Sequence, residues 1–225
     1  MSFSVIIPSK TESNLIPCVT CLRLHEPNAR IIVVDDGIQW TNVEFRQFIL
    51  GSCAVIQGKK PFVFSTNVNV GIQEAGEDDV VILGDDGMLE TPGGFSGLQT
   101  ISALKPEYGI LSSTCNNVGN ANQWRKDRGL RDEPRMVCFV AVYIPRITIN
   151  TIGLLDENFN CYSHQDDDYC LRIRKAGLKI GIWDGCFVDH SKLKSTFRGT
   201  PGAGGSLTLG AEIFKAKWGA DNHSL

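Results

Sequence analysis

Two short apolar runs constrain this chain most: Ile31–Val34 and Val80–Leu83, each delivered directly onto carboxylates. The first is followed by Asp35-Asp36-Gly37 and the second by Gly84-Asp85-Asp86-Gly87. A continuous apolar run of this length reads as a strand buried on both faces, the pattern of parallel sheets covered by helices. Phe3–Ile7, ended by Pro8, is a third such run, and Cys53–Ile56 and Phe62–Phe64 read as further short strands. Between them lie stretches with helical apolar spacing. Leu15, Ile16, Val19, Leu22 and Leu24 form one, with Pro17 expected in its first turn; Phe45, Phe48, Ile49 and Leu50 form another. The alternation predicts an α/β fold with a mostly parallel central sheet flanked by helices.

The position of the acidic pairs bears on function. In open α/β sheets the ligand crevice lies outside the carboxyl ends of the strands. Asp35-Asp36 and Asp85-Asp86 are therefore expected to meet in one site although fifty residues separate them. Asp-Gly is also ordinary turn chemistry, which would account for either pair alone. Two pairs, each after a four-residue apolar strand, argue for a shared task.

The second half is less regular. Gly109–Ser112 and Met136–Ile144 read as strands, separated by a polar loop, Thr114–Asn122, that leads to Trp124. Arg125–Arg131 is interleaved with Asp127 and reads as a solvated loop. Ile152–Phe159 is turn-like, and Gln165-Asp166-Asp167-Asp168 opens a helix closed by Gly177. The helix macrodipole favours acids at that end, yet three adjacent carboxylates repel and need a counter-charge or a catalytic task. Ile180–Trp183 and Phe187–His190 are strand candidates, Gly199–Gly210 has the composition of a mobile lid, and Glu212–Trp218 reads as a closing helix. Lys192, Lys194 and Arg198 flank the lid and could close on a diphosphate.

At 225 residues the chain suits one domain, residues 1–225. A net charge of −3 argues against a dedicated nucleic-acid binder. The amino-terminal run has no basic segment before it and is too short for a signal peptide or a membrane span. Eight scattered cysteines in a chain this size read as reduced thiols, hence a cytoplasmic protein; Cys18-Val19-Thr20-Cys21 lacks a second pair at zinc-ligand spacing.

Seven segments, in this order, resemble the inverting family-two glycosyltransferases of GT-A fold. They are Ser4–Ser9, Ile32–Gly37, Asn69–Ile72, Val81–Gly87, Gly153–Phe159, Gln165–Gly177 and Val188–His190. The resemblance covers nearly the whole chain. It implies a nucleotide-binding half (1–90), an acceptor and catalytic half (91–190), and a flexible loop with a carboxy-terminal helix (191–225). Pro8 and Ser9, with Asp35 or Asp36, would line the base and ribose pocket, and Glu12 would lie near the nucleotide. Asn69 and Gly71 match the family's Asn-x-Gly turn beside the donor. Asp85 and Asp86 match its acidic metal motif, with Asp86 expected to ligate directly and His190 to complete the coordination. Asp166 falls on the general base. Two positions depart from the family: Gln165 stands where it has Glu, and Gly84 where the metal motif has its first acid.

The implied activity is transfer of a sugar from a nucleotide-diphosphate donor, UDP by resemblance, to an acceptor hydroxyl. A Mn²⁺ or Mg²⁺ ion would offset the charge on the leaving group, and a histidine ligand favours Mn²⁺. A retaining GT-A transferase and a non-catalytic nucleotide-sugar binding module are the alternatives. The acceptor class (glycan, lipid-linked intermediate, protein, metabolite or modified base) is not encoded in these motifs.

Overall fold

The computed structural model describes residues 2–161, 163–196 and 203–219. β1 (Phe3–Ser9), β2 (Arg30–Asp35), β3 (Ala54–Gln57) and β4 (Asp79–Leu83) pair in parallel in the order β3-β2-β1-β4. Their side chains alternate between two cores, which is why the runs are apolar throughout. Val5, Ile7, Ile31 and Val33 face one cluster, while Ile6, Ile32, Val34 and Ile82 face the other. Helices α1 (Glu12–His25), α2 (Val43–Ser52) and α4 (Gly94–Leu104) cover the first face. Helices α3 (Phe64–Ala75), α5 (Arg146–Ile152) and α6 (Gln165–Lys175) cover the second, giving an α/β/α sandwich.

The rest of the sheet is mixed. β8 (Ala141–Ile144) joins β4 antiparallel and carries the sheet on to β6 (Tyr108–Cys115) and β9 (Lys179–Asp189). β7 (Leu130–Asp132) and the two-residue β5 (Met88–Leu89) pair antiparallel with β9. Parallel pairing is thus confined to the amino-terminal strands and to β6 with β9. β5 matters most for the site. It follows Asp85-Asp86 after Gly87 alone, and Met88 lies opposite Asp189, so the acidic turn comes to rest beside His190.

Several local expectations change. Pro17 lies in the second turn of α1, since the helix already starts at Glu12. Phe62–Phe64 is not a strand; the chain leaves β3 and enters α3 there. Only the end of the apolar stretch 136–144 is a strand, because a tight turn (Val140 N–H to Cys138 O, 2.8 Å) turns the preceding residues aside. Arg131 does not lie in a solvated loop: it pairs with the buried Asp184 at 2.9 Å. The closing helix, α7 (Ala203–Trp218), begins nine residues before Glu212 and takes up most of the stretch read as a lid. Arg198 lies outside the described residues. All eight cysteines are free thiols. Among the described residues no helix is long and apolar enough to cross a membrane.

Candidate active site

A cleft of about 460 Å³ opens at the carboxyl ends of β1 and β4. Pro8, Asp85, Asp86, Asp166 and His190 all line it. Five of the residues singled out from sequence therefore share one wall system.

Asp86 and His190 face each other, His190 Nε2 lying 3.2 Å from Asp86 Oδ1. The histidine is held from its other side. Its Nδ1 is 3.0 Å from the Asn117 carbonyl, its backbone N–H donates to Asn116 Oδ1 (2.7 Å), and Asn117 Nδ2 donates to its carbonyl (3.1 Å). A carbonyl opposite Nδ1 selects the tautomer with the proton on that nitrogen, leaving the Nε2 lone pair toward Asp86. Two acceptors at 3.2 Å need a cation or a proton between them, so the pair fits a divalent ion. Among the described residues no group of three or more His, Cys, Asp and Glu side chains forms a ready-made cage. Two protein ligands are what a Mg²⁺ or Mn²⁺ site completed by phosphate oxygens provides.

Asp85 serves differently. Its oxygens accept from Ser9 Oγ (2.8 Å) and Asn14 Nδ2 (3.4 Å), and it is 7% exposed. Burial raises its carboxyl to about 6 and the Asp86 charge adds to this, against the hydrogen bonds from Ser9 and Asn14. Gly84, the position that departs from the metal motif, has a steric reason: a Cβ there would meet Asp86 Oδ1 at 2.9 Å.

Asp166 sits in the first turn of α6. Burial pushes its carboxyl up to about 7, and the neighbouring Asp167 charge pushes the same way, opposed by backbone N–H groups including those of Asp167 and Phe139. The acidic triple divides by task. Asp166 and Asp167 line the cleft, while Asp168 is fully buried and paired with Arg172 (3.0 Å) and Lys217 (2.7 Å). Gln165 also lines the cleft, and its Oε1 is buried with no hydrogen-bond partner among the described residues.

Other expected donor residues lie elsewhere. Asp35 caps its own turn, accepting from Gly37 and Ile38 N–H at 2.7 Å each. Asp36 is 2% exposed and paired with Lys60 at 2.6 Å. Neither lines the cleft, so the two acidic pairs do not share a wall; Ser9 links them, through its carbonyl to Asp36 N–H and its hydroxyl to Asp85. Glu12 accepts from Thr41 N–H, Thr41 Oγ1 and Asn42 N–H. Those bonds hold its carboxyl below the usual range, on the wall of a separate hollow of about 680 Å³ with Lys10, Gly37 and Gln39.

Asn69 and Gly71 are inside α3, not in a turn. Asn69 bonds both the N–H (3.0 Å) and the carbonyl (2.9 Å) of Leu155, and a Cβ on Gly71 would meet Ile6 Cγ2 at 2.3 Å. Both residues serve packing, fastening α3 to β1 and to the loop before α6. Lys192 is paired with Glu90 (2.5 Å) and Asp189 (3.4 Å).

Sequence reading missed Phe62, Phe64, Met136 and Phe139 as cleft residues because their apolar runs looked like strands. Pro61 before the first pair, and the length of the 136–144 run against a usual strand of five or six residues, were the available signals.

The sheet order, with helices on both faces, is that of a GT-A fold. No family model matches the chain, and no curated protein matches it in sequence. Among solved structures it is similar to the crystal structure of GalNAc-T7 with UDP, GalNAc and Mn²⁺. The TM-score is 0.71 at 14% identity, over 84% of this chain and 44% of that one. The chain thus spans less than half the length of this neighbour, and the likeness is one of fold.

Proposed function

We propose that the chain is a metal-dependent glycosyltransferase that moves a sugar from a UDP-sugar to an acceptor hydroxyl with inversion. The observation that carries this reading is the convergence of Asp86, His190 and Asp166 on one cleft at the strand ends. The fold neighbour's UDP and Mn²⁺ support the donor class. Asp86 and His190 would hold a Mn²⁺ or Mg²⁺ ion, which supplies charge neutralisation for the diphosphate leaving group.

The protein's own residues carry the other tasks. Asp166, its carboxyl raised toward neutrality, takes the proton from the acceptor hydroxyl as that oxygen attacks the anomeric carbon. The new carbon–oxygen bond forms on the face opposite the diphosphate, and the electron pair of the broken bond leaves with the nucleotide. Ser9 and Asn14 fix Asp85, and through it the turn that carries Asp86. Pro8, Phe62 and Phe64, on the β1 and β3 side of the cleft, offer the apolar surface a base would stack on.

Thermal unfolding with UDP tests the donor and metal assignment together. Stabilisation by UDP with Mn²⁺, lost with EDTA and in Asp86→Asn, is the expected result. Equal stabilisation of wild type and Asp86→Asn would sink the metal role. NMR of the product's anomeric proton then separates inversion from retention.

A further inference from the structure

We propose that Lys217 and Trp218, at the end of α7, are positioning residues that hold the first turn of α6, and with it Asp166, through the buried carboxylate of Asp168. The inference rests on reading Asp166 as the general base, but its physical content can be measured separately.

The start of α6 is weakly secured by its own sequence. His164, at the cap position, has φ +64° and gives no side-chain cap to the helix. The three residues after Gln165 are all acidic, so like charges crowd the first turn. Two of the three donors that secure it lie about fifty residues away. Asp168 Oδ1 receives Lys217 Nζ at 2.7 Å and Trp218 Nε1 at 2.8 Å, while Oδ2 receives Arg172 Nε at 3.0 Å. With Asp168 fully buried, these donors are what make its charge tolerable there.

Lys217 also reaches Asp156 Oδ2 at 2.6 Å, so one ammonium ties the loop before α6 to the helix itself. Phe214 packs with Phe159 and Leu171, its ring 5.8 Å from that of His164. Gly210 abuts Ser163 so closely that a Cβ would meet the Ser163 carbonyl oxygen at 2.8 Å. α7 therefore braces the segment on both sides of Asp166, and Leu207 of the same helix lines the cleft. A helix start without such bracing frays, and misplacing a catalytic group by about 1 Å can cost about a hundredfold in rate.

The test uses the full chain carrying Lys217→Met, with Trp218→Phe as a milder variant that keeps an aromatic ring but removes the donor. Amide hydrogen exchange is followed in residues 163–169. UDP-GalNAc, UDP-glucose, GDP-mannose and TDP-glucose are assayed for Mn²⁺-dependent nucleotide release, with water as acceptor. Both variants are expected to speed exchange in the first turn of α6 while β1 and β4 stay protected. On the nucleotide sugar that wild type uses fastest, kcat is expected to fall about tenfold with an unchanged KM. Lys217→Arg should restore both.

Wild-type exchange at 163–169 in Trp218→Phe, or faster exchange there with kcat intact, would overturn the proposal. Exchange decides the brace even if no nucleotide sugar is turned over, an outcome that counts against the transferase reading alone.

Discussion

At the scale of single residues, Asp166 shows how position assigns a task that composition does not. It has the same side chain as Asp168 two residues later, yet one lines a cleft and the other is buried among three donors. Burial and the Asp167 charge raise its carboxyl to about 7. As the proposed base it must be ionised, so on that reading transfer is expected to fall tenfold per pH unit below about 7 and to level off above it; a pH–rate profile checks this. The same shift has a stability consequence. A carboxyl raised from 3.8 when folded binds its proton more tightly in the native state, so it costs stability above about 7 and costs none below about 4. Asp166→Asn removes that cost. Melting should rise by a few degrees at pH 8 and remain unchanged at pH 4, even as transfer is lost.

At the scale of elements, the buried strands and their acidic ends were legible because period and length speak directly: Ile31–Val34 and Val80–Leu83 are strands that end at Asp35 and beside Asp85. That Asp86, Asp166 and His190 would share one cleft was legible through motif order, although fold and β5 pairing do the work of joining them. What was not legible depended on contacts distant in sequence. Asn69 looked like a donor residue, but its amide is spent on Leu155, 86 positions later. Asp36 looked like a site residue, but Lys60 neutralises it. Asn69→Ala tests the correction: it should cost about 1–3 kcal/mol in urea unfolding, for the buried Leu155 groups left unpaired, and leave the donor KM unchanged. A raised KM at unchanged stability would return Asn69 to the donor site.

At the scale of the whole molecule, one sheet carries both sides of the candidate site. β8 inserts antiparallel between β4 and β6, so the strand that leads into the Asp85-Asp86 turn and the strands that support α6 share one hydrogen-bonded framework. α7 then packs against α6 and the loop before it. The central claim is that this framework brings Asp86, His190 and Asp166 together to transfer a sugar. The most direct test is nucleotide release from a UDP-sugar with Mn²⁺, compared between wild type and Asp166→Asn. The account predicts Mn²⁺-dependent release by wild type, reduced about 10²–10⁴-fold in the variant while UDP affinity is retained. Release at the wild-type rate by Asp166→Asn would contradict it.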